Sequence, residues 1–306
     1  MAAALLFGSQ FIFSKYCQGF RPGSYNISMA LGILLGSFVA LPRLGVFGLS
    51  PLLAVLAFTG GMVWVFGNFL LVYGVAKAGM ARAFVIVNFS AVFSFFGGIA
   101  FLGELEEVSV QRLALISAGI ALVMCGAFLV GTTTPRRPAL APGEKGPGDD
   151  GDSMRRGLIA VFVATIFFSV YNVMIAFTIN RSGAPAGPVF ALIAPGAVAG
   201  AFLAAAAMGN GILPGWKAAP GKWHVLALSQ GLVWATAMIF IMFGWMGTGI
   251  AMGTPIQVGT QTLVSALWGI LMFGELRGLA DAGRAYAKFT AGAALTVAGI
   301  ALIALL

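Results

Sequence analysis

The amino-acid sequence predicts an all-α membrane protein of ten transmembrane helices, arranged as two inverted five-helix repeats. Three observations predict it. Of the 306 residues, 60% are hydrophobic and only 8% are charged, with a mean hydropathy of +0.99; a soluble domain needs more charge than that to cover its surface. Windows almost free of Asp, Glu, Lys and Arg recur along the whole chain, each near the roughly 20 residues that cross a bilayer at 1.5 Å per residue. Finally, the chain repeats itself. A shift of 170 residues sets Trp64 on Trp234, Gly74 on Gly244 and Gly79 on Gly249, and one inserted residue then aligns Gly103-Glu104-Leu105 with Gly274-Glu275-Leu276.

Taken in order, the first half holds spans at about 2–19, 24–41, 51–74, 80–102 and 110–130. The stretch Met1 to Phe13 is apolar but lacks a basic leader and a small-residue cleavage site, so it reads as the first span and not as a signal peptide. Residues 132–156 follow, TTTPRRPALAPGEKGPGDDGDSMRR, rich in Pro, Gly and charge. That composition is a flexible surface linker. The second half holds spans at about 157–178, 186–208, 223–245, 250–273 and 286–305. Most connections are short and rich in Gly, Pro or charge, such as Arg21-Pro22-Gly23 and Gly247-Thr248-Gly249. The division is therefore 1–131, 132–156 and 157–306. The repeat also extends to its ends, where Ala118-Gly119-Ile120-Ala121-Leu122 recurs as Ala298-Gly299-Ile300-Ala301-Leu302 and Gln10 falls beside Asn172.

An odd number of spans per half makes the second repeat enter the membrane the opposite way, the plan of secondary transporters with a midplane site between halves. Basic residues give the orientation. Loops after the odd-numbered spans hold 14 of them, against Arg43, Arg112 and Arg181 on the other side. This predicts a cytoplasmic linker and both termini outside, in a plasma or inner membrane. The net charge of +8 accordingly marks cytoplasmic loops and gives no indication of nucleic acid.

The polar residues inside apolar spans are the functional candidates, because an amide in hydrocarbon is costly unless it faces protein or a wet cavity. Gln257 and Gln261 stand four apart and share one helix face; two amides there offer both donors and acceptors. Thr260 and Ser265 lie on the same span, and Pro255 either kinks it or sits in its first turns. Asn68, Asn88, Gln10, Tyr171 and Asn172 join them as pathway candidates. Trp64 and Trp234, equivalent in the repeat, could stack on the apolar face of a ring. Glu104, Glu275 and Lys15 are candidates for ion coupling, although the two carboxylates close their spans near water and Lys15 can snorkel. His224, beside Trp223 and Lys222, reads as an interface anchor. Cys17 and Cys125 read as buried free thiols. No metal-ligand spacing, cofactor motif or nucleophile–base pair occurs, so the sequence points to no enzyme, metal or cofactor. It gives no more on assembly than a monomer or a homodimer.

Ten spans in a five-plus-five duplication, with Gly-Glu-Leu after the fourth and ninth, resemble the drug/metabolite transporter superfamily and its EamA-like repeat. FGSQFIFSKY (7–16), GGMVWVFGNFLLVYGVAKAGMARA (60–83) and TPIQVGTQTLVSALWGILMFGE (254–275) are similar to its glucose/ribose porter branch. Gln10 stands where that branch usually carries Asn, and the stretch before Phe7-Gly8-Ser9 is unusually short. The resemblance implies a secondary carrier for a small polar solute such as a monosaccharide, coupled to protons, with an exporter of amino acids or amphiphilic metabolites as the alternative on the same fold. A non-transporting membrane scaffold would leave Gln257, Gln261 and Asn88 unexplained.

Overall fold

A computed structural model describes residues 2–306 except 18, 41–48, 79, 134–150, 210, 275 and 277–280. Among these the chain is helical, with no strand. The helices are α1 (Ala2–Ser9), α2 (Phe11–Lys15), α3 (Pro22–Ala40), α4 (Pro51–Ala78), α5 (Met80–Val87), α6 (Ser90–Leu102), α7 (Val110–Gly131), α8 (Gly151–Ala176, continued by a π-helical turn Phe177–Arg181), α9 (Ala186–Met208), α10 (Ile212–Lys217), α11 (Gly221–Leu271) and α12 (Ala282–Ala304). Among the described residues, seven helical stretches are long and apolar enough to cross a membrane. The chain is an integral membrane protein. The start of α8 at Gly151 lies inside the segment read as linker; residues 134–150 of that linker are outside the described residues.

The 51 residues of α11 would reach roughly 76 Å if straight, more than twice the hydrocarbon core. The helix does not run straight. Gly249, at φ 69° and ψ 172°, interrupts it, and the chain returns. Phe7 packs edge-on against Trp234, while a Cβ on its neighbour Gly8 would meet Val264 at 2.5 Å. Trp234 and Val264 lie equally far from Gly249 in sequence and meet adjacent residues of α1. Residues 221–248 and 250–271 are therefore two arms of a helical hairpin with almost no loop. Pro255 sits in continuous helix on the second arm, so the break is at the glycine and not at the proline.

Close backbone crossings hold the bundle together. A Cβ on Gly61 would lie 2.1 Å from the Ile193 carbonyl oxygen, and one on Gly196 would lie 2.0 Å from that of Phe58. These contacts join α4 to α9 in parallel. Across the bundle, Gly231 meets the Met29 carbonyl at 2.2 Å and Gly32 meets that of Leu228 at 2.2 Å, joining the first arm of α11 to α3, also in parallel. Gly119 and Gly126 of α7 face Gly299 and Gly292 of α12 in an antiparallel pair. Small residues at such crossings are how helices associate in lipid, where burial of apolar surface gives no drive.

The Gly-Glu-Leu turn after α6 has a local cause. Gly103 takes the left-handed conformation (φ 67°) that ends a helix, its N–H bonding the Gly98 carbonyl, and the Glu104 N–H bonds the same carbonyl at 3.0 Å. Leu105 follows with φ 68°. Gly274 adopts the same hand, φ 62°; Glu275 lies outside the described residues. Of the two thiols, Cys17 is buried, whereas Cys125 is exposed on the outer face of α7. Expecting both to be buried was an error, because an apolar helix in lipid has no need to turn its cysteine inward.

Candidate functional site

A cavity of about 130 Å³ lies at the centre of the bundle. That is the scale of one six-membered ring, since an engineered apolar cavity of about 150 Å³ holds benzene. Its wall draws on α1 and the turn after it (Phe7, Gln10), α4 (Trp64, Asn68), the α5–α6 junction (Asn88, Ser90), α8 (Tyr171, Asn172) and both arms of α11. The first arm supplies Gln230, Trp234 and Trp245; the second supplies Thr254, Gln257 and Gln261. Nine predicted residues thus meet around one space: Gln10, Trp64, Asn68, Asn88, Tyr171, Asn172, Trp234, Gln257 and Gln261.

The helix breaks explain why these side chains point inward. Gln10 lies in the turn between α1 and α2, and Asn88 in the turn between α5 and α6. Trp64 and Trp234, equivalent in the repeat, touch each other with ring centroids 4.3 Å apart. They form one indole wall and not two separate stacking platforms.

Hydrogen bonds orient the amides. Gln257 Nε2 donates to Gln261 Oε1 at 3.2 Å, Asn88 Nδ2 to Thr262 Oγ1 at 3.3 Å and Asn172 Nδ2 to Ser94 Oγ at 3.0 Å. Asn68 donates to Asn26, and the Tyr25 hydroxyl donates to Gln230. The Tyr171 hydroxyl rests on Met238 Sδ at 3.1 Å. Among the described residues, no Asp, Glu, Lys, Arg or His side chain lines the cavity.

Three lining residues keep a buried polar atom without a hydrogen-bond partner among the described residues: Gln10 Oε1, Trp245 Nε1 and Thr254 Oγ1. A buried polar group left unsatisfied costs about 1–3 kcal/mol. An acceptor, an N–H donor and a hydroxyl without partners thus belong to residues that line a ring-sized space.

The remaining candidates lie elsewhere. Thr260 Oγ1 bonds the Ile256 carbonyl of its own helix at 2.8 Å and Ser265 Oγ the Gly8 carbonyl of α1 at 3.1 Å; neither residue lines the cavity. Lys15 holds its ammonium 4.3 Å from the Phe273 ring centroid, also away from the cavity. Glu104 Oε1 and Oε2 accept the N–H groups of Ile250 and Ala251 at 3.0 and 2.8 Å, capping the second arm where its first amides have no helical partner. It also lines a second, open cavity of about 420 Å³ with Asn180, Trp245 and Gly249. Trp245 is the one residue common to both cavities. Glu104→Ala is expected to cost roughly 3–6 kcal/mol for two charge-assisted bonds, read as a lower thermal midpoint in detergent; an unchanged midpoint would remove Glu104 as the cap. Sequence reasoning missed Gln230, Thr254 and Trp245. Gln230 carried the same signal as Gln257, a lone amide in an apolar run, while nothing in the sequence marks Trp245.

The comparisons with known proteins meet this geometry from another side. Over residues 17–133 the chain matches the sugar transport protein family. That family is of the drug/metabolite transporter class, and residues 60–83 of the branch resemblance fall inside the match. Relatives named for sugar uptake are found in Streptococcus agalactiae serotype V and Streptococcus pyogenes serotype M1, each 37% identical over 71 residues. One in Bacillus cereus is 36% identical over 73 residues. These alignments span 23–24% of this chain and 24–25% of each relative. The fold as a whole is shared with a protein of known crystal structure at TM-score 0.68 and 17% identity, covering 99% of this chain and 94% of the other.

Proposed function

We propose that this protein is a secondary transporter of a small, uncharged, polyhydroxylated solute, a monosaccharide being the best fit. The single observation that carries this reading is the central cavity: amides, hydroxyls and an indole wall, with no ionised side chain among the described residues that line it. The family match over residues 17–133 and the relatives named for sugar uptake agree with it.

The mechanism proposed is alternating access between two inverted halves, 1–131 and 157–306, joined by the cytoplasmic linker 132–156, with both termini outside. The glycine crossings support it. Gly61 with Ile193 and Gly231 with Met29, like Gly196 with Phe58 and Gly32 with Leu228, exchange between the repeats, with an offset of 170 residues from α4 to the first arm of α11 and of 164 from α3 to α9. The parallel pairing of α4 with α9 and of α3 with the first arm of α11 is the direction that ten alternating spans require. Proton coupling belongs to the same reading. Glu104, which shares a second cavity with Trp245, is our first candidate to carry it, with Glu275 and Lys15 as the other coupling candidates. The amino-acid alternative is disfavoured by the cavity's lack of a counter-charge for either ionised end of such a solute.

The test is solute accumulation in proteoliposomes for several monosaccharides and several amino acids, with and without a pH gradient. Saturable monosaccharide uptake is expected. Uptake of amino acids alone would overturn the sugar assignment. Gln261→Ala, which removes hydrogen bonds worth about 0.5–1.5 kcal/mol each, is expected to weaken uptake affinity about tenfold with a thermal midpoint close to the parent's. Equal losses of affinity and stability would assign Gln261 to helix packing.

A further inference from the structure

A third cavity, of about 320 Å³, opens at one end of the bundle between α3, α10 and the first arm of α11, away from the central site. Its floor is fixed by a hydrogen-bonded chain. Trp216 Nε1 donates to Ser28 Oγ at 2.9 Å, and Ser28 Oγ shares a 2.8 Å hydrogen bond with His224 Nδ1. The rings of Trp216 and Phe20 meet His224 edge-on at 5.7 and 5.3 Å. This is the only histidine, and its ring is locked into a wall. Lys217 lines the rim, and both it and Lys222 are exposed. No Asp or Glu occurs in residues 1–103 or 153–274, so the segments that build this cavity bring no carboxylate to it.

Leu31 and Leu228 form its apolar side. Because α3 and the first arm run parallel, the next residues on those faces are Leu35 and Leu232, 49% and 38% exposed. The cavity therefore continues as a leucine-lined groove along two helices, with its basic rim at one end only. Aromatic and basic residues at an interface, leading onto an apolar strip, match the form of an amphiphile.

We propose that this cavity binds one anionic phospholipid, with its phosphate at Lys217 and the Trp216–His224 wall and one acyl chain along Leu31, Leu35, Leu228 and Leu232. The occupant is a lipid and not a soluble anion, because a free phosphate would leave the leucine groove unused. The charge complementarity fixes its sign, since phosphatidylcholine adds a cation where the rim already carries Lys217.

The test is native mass spectrometry of the full-length protein in detergent, titrated with phosphatidylglycerol and phosphatidylcholine of identical chains. Phosphatidylglycerol is expected to be retained at least fivefold more tightly. Lys217→Ala is expected to remove about fivefold of that affinity, whereas Lys288→Ala, whose ammonium bonds the Thr132 carbonyl elsewhere, leaves it unchanged. Leu35→Gln with Leu232→Gln should weaken both lipids. Equal retention of the two lipids, equal effects of K217A and K288A, or displacement of phosphatidylglycerol by glycerol phosphate at matched concentration would each overturn the proposal. Lys217 is exposed, so loss of binding in K217A with an unchanged thermal midpoint reports the site and not the fold.

Discussion

Gly249→Ala is expected to abolish recovery of folded protein from detergent extracts. With φ 69° and ψ 172°, Gly249 occupies a region open almost only to glycine, and another residue there costs about 1–3 kcal/mol. Space forbids the change as well. A Cβ would stand 2.5 Å from Glu104 Cδ and 2.6 and 2.8 Å from its two oxygens. Moving Glu104 aside breaks its bonds to Ile250 and Ala251, at about 1.5–3 kcal/mol each. The sum takes up much of a typical total stability of about 5–15 kcal/mol. Fluorescence-monitored gel filtration checks this directly. The double variant with Glu104→Ala should be less damaging than the two single losses added, because the residues share one contact. Parent-like elution of G249A would contradict the fold-back of α11 at that residue.

Trp245→Ala should act on both stability and transport. The side chain is 1% exposed, and truncating a buried Trp costs about 3–5 kcal/mol. It is also the shared wall between the central cavity and the open one beside Glu104. Removing it joins the two, and liposomes bearing W245A should pass monosaccharide in a non-saturable flux. Trp245→Phe separates the roles: the wall remains while the unpartnered Nε1–H is lost, so uptake stays saturable with affinity reduced about tenfold. Saturable uptake by W245A at parent affinity would show that the solute does not pass this residue.

Much of this architecture was legible in the sequence because a membrane span is a long, local signal. Each of the ten predicted segments contains helix, and Gly247-Thr248-Gly249 correctly marked the turn within α11. Less legible were the breaks at Gln10 and at Asn88-Phe89, where no proline or glycine interrupts the helix and tertiary contacts decide. Much of the cavity's polar lining was readable for one reason: an amide in hydrocarbon must face inward, and Gln10, Asn68, Asn88, Asn172, Gln257 and Gln261 all line that space. The hydroxyls are a weaker signal, since Thr260 and Ser265 can satisfy themselves on backbone carbonyls and need no cavity. The cap formed by Glu104 joins residues 146 and 147 positions apart, and no local pattern could announce it.

The four glycine crossings between halves bear on how such a molecule can move. At Gly61, Gly196, Gly32 and Gly231 a helix rests on the bare backbone of its neighbour, so no side chain is there to change rotamer and let the pair slip lengthwise. What remains free is the angle. Each crossing is a fulcrum, and helix ends roughly 15 Å away, half the hydrocarbon thickness, would swing by about 4 Å for a tilt of about 15°. On the mechanism proposed above, a lever of that kind would convert a small rotation at the centre into a larger opening at the rim while the glycine crossings stay packed.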